Sequence, residues 1–177
     1  QTWMRDQVST EGLLDLMKEL GDNSNKIMIE IGSFVGESTV LFAQSFKEVI
    51  AIDPFEADYD PQDSTSNNFD FDNVYQTYLD RITVYSNIET IVDTSDNAVK
   101  ELVGKEFDFI YIDGLHTYEG VKTDITNYLP LVKKGGVIGG HDYTNQIPHL
   151  VGVYEAVNEM FGTPDKVFKD NSWIKYV

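Results

Sequence analysis

The chain has 177 residues, 41% of them hydrophobic, and a formal net charge of -17. This length suits a single domain spanning residues 1–177 with one sizeable core, and the apolar fraction excludes a disordered chain. An acidic surface repels phosphate backbones and anionic membranes, so we expect no nucleic-acid partner and no membrane partner. The absence of cysteine excludes disulfides and thiolate metal sites, and it fits a cytoplasmic location. No run of 18 apolar residues and no signal-peptide pattern occurs, so we expect neither a membrane span nor a leader.

The first half of the chain predicts helices and strands in alternation. Leucines and a methionine over 13–20 give a helical stripe that ends at Gly21. "KIMIEIG" predicts a buried strand running into Gly32, "ESTVLFAQSF" a helix, and "EVIAID" a second strand ending at Asp53. The polar stretch 54–72 predicts a long loop. A plain surface loop and an active-site lid over 56–72 that moves on ligand binding are equally compatible with it.

The second half continues the alternation. "NVYQTYLDRITVY" has helical spacing, although "ITVY" would also suit a strand. "IETIV" predicts a strand, "SDNAVKELV" a helix capped by Ser95 or Asp96, "FDFIYID" a strand, "EGVKTDITNYLPLV" a helix, "GVIGGHD" a strand and "VGVYEAVNEMF" a helix. "KVFKDNSWIKYV" predicts two strands around Asp170-Asn171.

This order is typical of an α/β fold with a doubly wound, mostly parallel sheet and helices on both faces. The C-terminal antiparallel hairpin would lie at or near one edge of the sheet. Ligands of such folds bind beyond the carboxyl ends of the strands, so the residues at those ends are the candidates for function.

The first strand ends in a glycine turn, "EIGSFVG". Asp53 follows Gly32 at the spacing typical of sites that bind adenosine-type ligands. In such sites the acid accepts hydrogen bonds from the ribose hydroxyls. Glu30 and Val35 occupy positions where a dinucleotide motif has glycine. A carboxylate suits a cationic ligand such as S-adenosylmethionine better than a pyrophosphate. The alternative is a packing turn, with Glu30 as a cap.

The later strands end in acids and histidines. Asp113 is followed by His116, and the next strand ends in His141 and Asp142. Neighbouring parallel strands bring these side chains together, and oxygen and imidazole donors without sulfur suit Mg²⁺ or another divalent cation. A histidine that is not a ligand could act as general base near neutral pH. The alternative is that these residues only cap loops and helices, with His116 capping the helix that begins near Glu119.

Four segments together resemble the class I S-adenosylmethionine-dependent methyltransferases. They are "EIGSFVGEST", "AIDPF", "FDFIYIDGLHTYEGVKTDI" and "LPLVKKGGVIGGHDY", within residues 26–145. The subgroup that they resemble most contains metal-dependent sugar O-methyltransferases of the macrocin and mycinamicin type. This resemblance implies a Rossmann-like methyltransferase fold.

The resemblance also implies roles for individual residues. It implies a ribose contact at Asp53 and an adenine-side contact at Asp93 to Ser95. It implies metal binding by Asp113 and Asp142, with His141 standing where several members have an acid. It implies that His116 is the base. The implied cofactor contacts on the glycine turn are Glu30, Gly32, Ser33 and Gly36.

The sequence therefore predicts a Mg²⁺-assisted O-methyltransferase acting on a small hydroxylated acceptor such as a sugar. The alternatives are an NAD-type oxidoreductase, a non-catalytic nucleotide-binding domain and an iron site of Asp113, His116 and His141. The acceptor is left open, and so is the oligomeric state, with a homo-oligomer among the options.

Overall fold

A computed structural model describes residues 4–57, 60 and 68–177. Helices and strands alternate along the chain, as the hydrophobic pattern predicts. The helices are α1 (Gln7–Glu19), α2 (Glu37–Ser45), α3 (Phe71–Ile82), α4 (Ser95–Leu102), α5 (Tyr118–Tyr128) and α6 (Val151–Phe161). The strands are β1 (Ile27–Ile31), β2 (Glu48–Ile52), β3 (Ile88–Ile91), β4 (Phe107–Ile112), β5 (Val132–Gly140), β6 (Lys166–Val167) and β7 (Trp173–Tyr176).

The strands form one seven-stranded sheet in the order β3-β2-β1-β4-β5-β7-β6. β1 to β5 pair in parallel, whereas β7 is antiparallel to both β5 and β6. This confirms the mostly parallel sheet and the C-terminal hairpin, which occupies one edge. The strand order reverses between β1 and β4, so the carboxyl ends of these two strands flank the crevice where such sheets bind ligands.

The core lies on both faces of the sheet. α1 and α2 cover one face and α4, α5 and α6 the other, each against a separate buried apolar cluster. Alternation along β1 decides which side chain meets which layer. Met28 belongs to the cluster under α1 and α2, while Ile29 and Ile31 belong to the opposite cluster. Glu30 therefore faces the α2 layer, beside Ala51 and Tyr111 in the ladder.

Some local expectations need correction. α4 is capped by Thr94, whose side chain accepts a hydrogen bond from the Asn97 backbone N–H, rather than by Ser95 or Asp96. A threonine hydroxyl does this as well as serine, so composition alone placed the cap one or two residues late. The segment "ITVY" forms the end of α3 and a turn, not a strand. The predicted lid, 56–72, lies largely outside the described residues.

Among the described residues, no helix combines the length and the apolar character needed to cross a membrane.

Candidate active site

A cavity of about 390 Å³ opens at the carboxyl edge of the sheet, where β1, β2 and β4 end. Its volume lies in the range of small-molecule sites. Glu56, Asp60, Phe69 and Phe71 form part of its wall, so described residues of the 56–72 segment do face it. The predicted site residues that line the cavity are Gly32, Asp53, Ser95, Asp113, His116, His141 and Asp142.

The glycine turn touches the end of β4. Gly32 has a φ of +86°, and a Cβ there would lie 1.9 Å from the backbone oxygen of Asp113. Only glycine allows both this backbone conformation and this approach. The backbone N–H of Asp113 in turn donates to Ile31 O at 2.7 Å. The cofactor turn and the first predicted metal ligand are therefore fixed against each other.

Asp53 binds the main chain of the glycine turn. Its Oδ2 accepts hydrogen bonds from the backbone N–H groups of Ser33 at 2.9 Å and Phe34 at 2.8 Å, and its Oδ1 accepts from Phe55 at 2.8 Å. Burial raises the pKa of this carboxyl, although these hydrogen bonds oppose the rise. Asp53 lines the cavity, but it also shapes the turn, a role that spacing alone did not reveal.

Glu30 lies behind the turn rather than in the cavity. Its carboxyl group is fully buried and accepts hydrogen bonds from the hydroxyls of Ser33, Ser38 and Thr39. Burial raises its pKa to about 7, against the effect of those hydroxyls. Strand alternation turns the Glu30 side chain toward α2, so it does not line the cavity, and its predicted contact with a cofactor stays a prediction.

The remaining predicted cofactor residues are spread around the turn. Ser33 is buried, and Gly36 precedes α2 with a φ of +83°. Asp93 accepts from the Asn97 side chain at 3.1 Å and does not line the cavity. Ser95 does line it and donates to Asp124 at 2.5 Å. Of the Asp93–Ser95 stretch, Ser95 is thus the side chain placed to meet a ligand.

Asp113, His116, His141 and Asp142 converge as predicted. His116 Nε2 lies 2.9 Å from Asp142 Oδ2 and 3.8 Å from Asp113 Oδ1. His141 Nδ1 lies 3.2 Å from Asp142 Oδ1 and 3.8 Å from Asp113 Oδ1. Asp142 adopts a left-handed backbone conformation, φ 61°, which aspartate tolerates better than most residues. Thr117, not His116, caps α5 by accepting from Gly120 N–H, so the capping alternative for His116 is wrong.

The charges of this cluster are mutually stabilising. Burial alone would lower the pKa of His116, but the carboxylates of Asp113, Asp142 and Asp60 outweigh it and raise the pKa to about 12. Burial likewise opposes protonation of His141, yet the charge of Asp113 and contact with Asp142 raise its pKa to about 9. Both imidazoles hold the pKa of Asp142 well below its usual range despite burial. In the absence of any other positive charge, both shifts favour the protonated form of each ring beside these acids.

His141 also faces a buried acid on the closing hairpin. Its Nε2 lies 3.6 Å from Asp170 Oδ2 and forms no hydrogen bond within the described part of the chain. Asp170 is fully enclosed and lies 3.6 Å from Arg5 NH2. A ligating histidine commonly directs its second nitrogen at a carboxylate. His141 has this arrangement: Nδ1 faces Asp113 and Asp142, and Nε2 faces Asp170.

Sequence reasoning missed Asp60. This residue is buried in the cavity wall, and its Oδ2 accepts from the backbone N–H of His116 at 2.9 Å and lies 2.7 Å from His116 Nδ1. Its position in a polar loop rich in aspartate gave no signal that would single it out.

The acids and His141 suit a divalent cation. Asp113, His141 and Asp142 each offer a ligand atom, and these atoms lie within 4.8 Å of one another. Two carboxylates and one imidazole match the donors that hard and borderline divalent cations accept. The residues present therefore fit the predicted metal.

Comparison with known proteins identifies the family. Residues 29–143 match the family described as "Methyltransferase domain". An uncharacterized protein of Acanthamoeba polyphaga mimivirus is 30% identical over 136 residues, which cover 74% of this chain and 58% of that protein. The chain thus spans little more than half the length of this curated relative.

Solved structures share the fold. The O-methyltransferase NovP superposes with a TM-score of 0.68 at 15% identity, over 93% of this chain and 78% of that one. An O-methyltransferase from Bacillus cereus in complex with SAH gives 0.63 at 18% identity, over 96% and 80%. A TDP-rhamnose 3'-O-methyltransferase of calicheamicin biosynthesis gives 0.65 at 14%, over 97% and 81%. Together with the family match across both halves of the cavity, these findings show that the chain belongs to the methyltransferase domain family and has its Rossmann-like fold.

Proposed function

We propose that this chain is an S-adenosylmethionine-dependent O-methyltransferase, assisted by a divalent cation such as Mg²⁺, that acts on a small hydroxylated acceptor. One observation carries the proposal. A single cavity joins the glycine turn and Asp53 at one side to the cluster of Asp113, His116, His141 and Asp142 at the other. A methyl donor and an acceptor can therefore meet inside one enclosure. A sugar acceptor is supported by the similar fold of a TDP-rhamnose 3'-O-methyltransferase. A cytoplasmic location stays a prediction.

Each residue has a distinct part in the proposed reaction. Asp113, His141 and Asp142 would hold the cation. When bound, the cation would supply positive charge that offsets the acids around His116 and lowers the pKa of the acceptor hydroxyl. His116 Nε2 would take the hydroxyl proton. The acceptor oxygen would bond to the methyl group as the sulfur–methyl bond breaks, which leaves the neutral thioether S-adenosylhomocysteine.

The test combines binding with turnover. We expect calorimetry to show S-adenosylhomocysteine binding in preference to NAD, and methyl transfer to a panel of sugars and phenols that needs Mg²⁺ and stops in chelator. Asp113→Asn should lower Mg²⁺ affinity and turnover together. Glu106→Gln is the matched control, because Glu106 is an exposed acid just before the opposite end of the same strand. Preferential NAD binding would contradict the proposal, and so would full activity in chelator with Asp113→Asn.

A further inference from the structure

Asp60 makes two contacts with His116 through one oxygen atom. Asp60 Oδ2 accepts a hydrogen bond from the His116 backbone N–H at 2.9 Å and lies 2.7 Å from the ring Nδ1. Asp60 is 5% exposed, and both residues line the cavity. The two residues are 56 positions apart in the chain, so this is a tertiary contact rather than a local turn.

These contacts define which ring nitrogen of His116 carries hydrogen. Asp60 Oδ2 is already an acceptor, because a backbone N–H can only donate to it. An ionised carboxylate has no hydrogen of its own, so Nδ1 acts as the donor to a carboxylate, and a neutral ring then keeps its lone pair on Nε2. The hydrogen bond from the His116 backbone N–H adds a second constraint. It holds the Asp60 carboxylate beside the same residue whose ring that carboxylate orients.

The other ring nitrogen, Nε2, faces the proposed cation site. Nε2 lies 2.9 Å from Asp142 Oδ2 and 3.8 Å from Asp113 Oδ1, the two acids proposed to hold the cation. Asp60 lies on the other nitrogen of the ring, outside the group of Asp113, His141 and Asp142. Asp60 is thus placed to orient the base without competing for the cation.

We propose that Asp60 is the positioning residue for His116: it holds the ring in the Nδ1–H form and directs Nε2 at the acceptor hydroxyl. This inference rests on the proposed function of His116 as base. It also gives Asp60, which the sequence did not single out, a part in the proposed reaction.

The first experiment measures which ring nitrogen of His116 carries hydrogen. Long-range ¹⁵N–¹H correlation spectra of the protein with Mg²⁺ and S-adenosylhomocysteine show which nitrogen of each histidine is protonated. The chain has three histidines, and His116→Gln identifies the signals of interest. We expect a hydrogen on Nδ1 and none on Nε2. In Asp60→Ala the ring should shift toward the Nε2–H form that a free neutral imidazole prefers. In Asp60→Asn the amide oxygen can still accept, so the Nδ1–H form should persist.

Turnover should follow the same order. We expect Asp60→Ala to lower kcat by roughly 10²-fold or more, the scale of losing a positioned base, and Asp60→Asn to restore kcat to within about tenfold of the wild type. Affinity for S-adenosylhomocysteine should stay within about twofold in both variants. Asp72→Ala is the matched control, because Asp72 is an exposed acid at the start of α3. It should change neither kcat nor the ring spectrum.

Two kinds of contrary result distinguish the role of Asp60 from the role of His116 as base. An Nδ1–H ring that persists in Asp60→Ala, or equal losses of kcat in the alanine and asparagine variants, would overturn the role of Asp60 while leaving His116 as base. Hydrogen on both ring nitrogens in the loaded wild-type protein would refute the base itself, and the inference with it.

Discussion

Replacing Gly32 by alanine tests the close approach of the glycine turn to β4. A left-handed conformation costs a residue with a Cβ about 1–2 kcal/mol, and at Gly32 the new Cβ would also lie 1.9 Å from Asp113 O, inside van der Waals contact. Relieving such an overlap costs about a further 1–3 kcal/mol. Gly104 has the same φ, +86°, but no described atom lies within 4 Å of a Cβ there. Gly104→Ala therefore measures the backbone cost alone.

Differential scanning calorimetry gives the comparison. For a chain of 177 residues, each kcal/mol corresponds to about 2–4 °C in Tm, so we expect Gly104→Ala to lower Tm by about 5 °C and Gly32→Ala by about 11 °C. Gly32→Ala should also weaken Mg²⁺ binding, because the displaced backbone belongs to Asp113. Equal losses of Tm in the two variants would show that the close approach does not contribute, and the proposed link between the two halves of the cavity would fail.

Three further predictions concern other polar side chains. Burial raises the pKa of Glu30 from 4.5 to about 7, so the stability that its protonated form contributes is fully present below pH 4.5 and is lost as pH rises through 7. Relative to Glu30→Gln, the wild type should lose about 3 kcal/mol of unfolding free energy over that range, as measured by urea titrations at several pH values. Asp53→Ala leaves three backbone N–H donors without their acceptor, so we expect Tm to fall by several degrees. We also expect calorimetry to show at least a tenfold loss of affinity for S-adenosylhomocysteine. Unchanged affinity would remove Asp53 from the site. Thr94→Ala should cost about 1 kcal/mol in a denaturant titration through loss of the α4 cap, and Ser95→Ala should not reproduce this capping loss.

The sheet and the main site acids could be predicted because they depend on local periodicity. β1, β2 and β4 appear as short apolar runs, and helical segments separate them. Once the alternation predicts a parallel sheet, topology brings Asp113 and Asp142 together, because both follow strand ends at the same edge. Gly32 and Asp53 were found by the same reasoning from spacing.

The functions of single side chains could not be read from position alone. Glu30 occupies a motif position, yet strand alternation buries it beneath α2, and its partners Ser38 and Thr39 are apparent only once the helix is in place. Asp60 was missed because a contact across 56 residues leaves no periodic trace, and its loop holds several other aspartates. His116 was expected either to cap α5 or to act in the site; the neighbouring Thr117 takes the cap, and the role of His116 as base stays a prediction.

The site combines positions that the sheet fixes with one contact from outside the sheet. Hydrogen bonds continue past the strand ends from Gly32 N–H to Ile52 O, from Asp113 N–H to Ile31 O and from His141 N–H to Ile112 O. They fix the glycine turn and the proposed cation ligands in one frame, as the proposed in-line transfer requires, because errors of about 1 Å in such geometry cost about 10²-fold in rate. Asp60 reaches the site from outside this frame. The sheet therefore sets the spacing between the glycine turn and the acids, while the proposed orientation of His116 depends on a residue that is not part of the sheet.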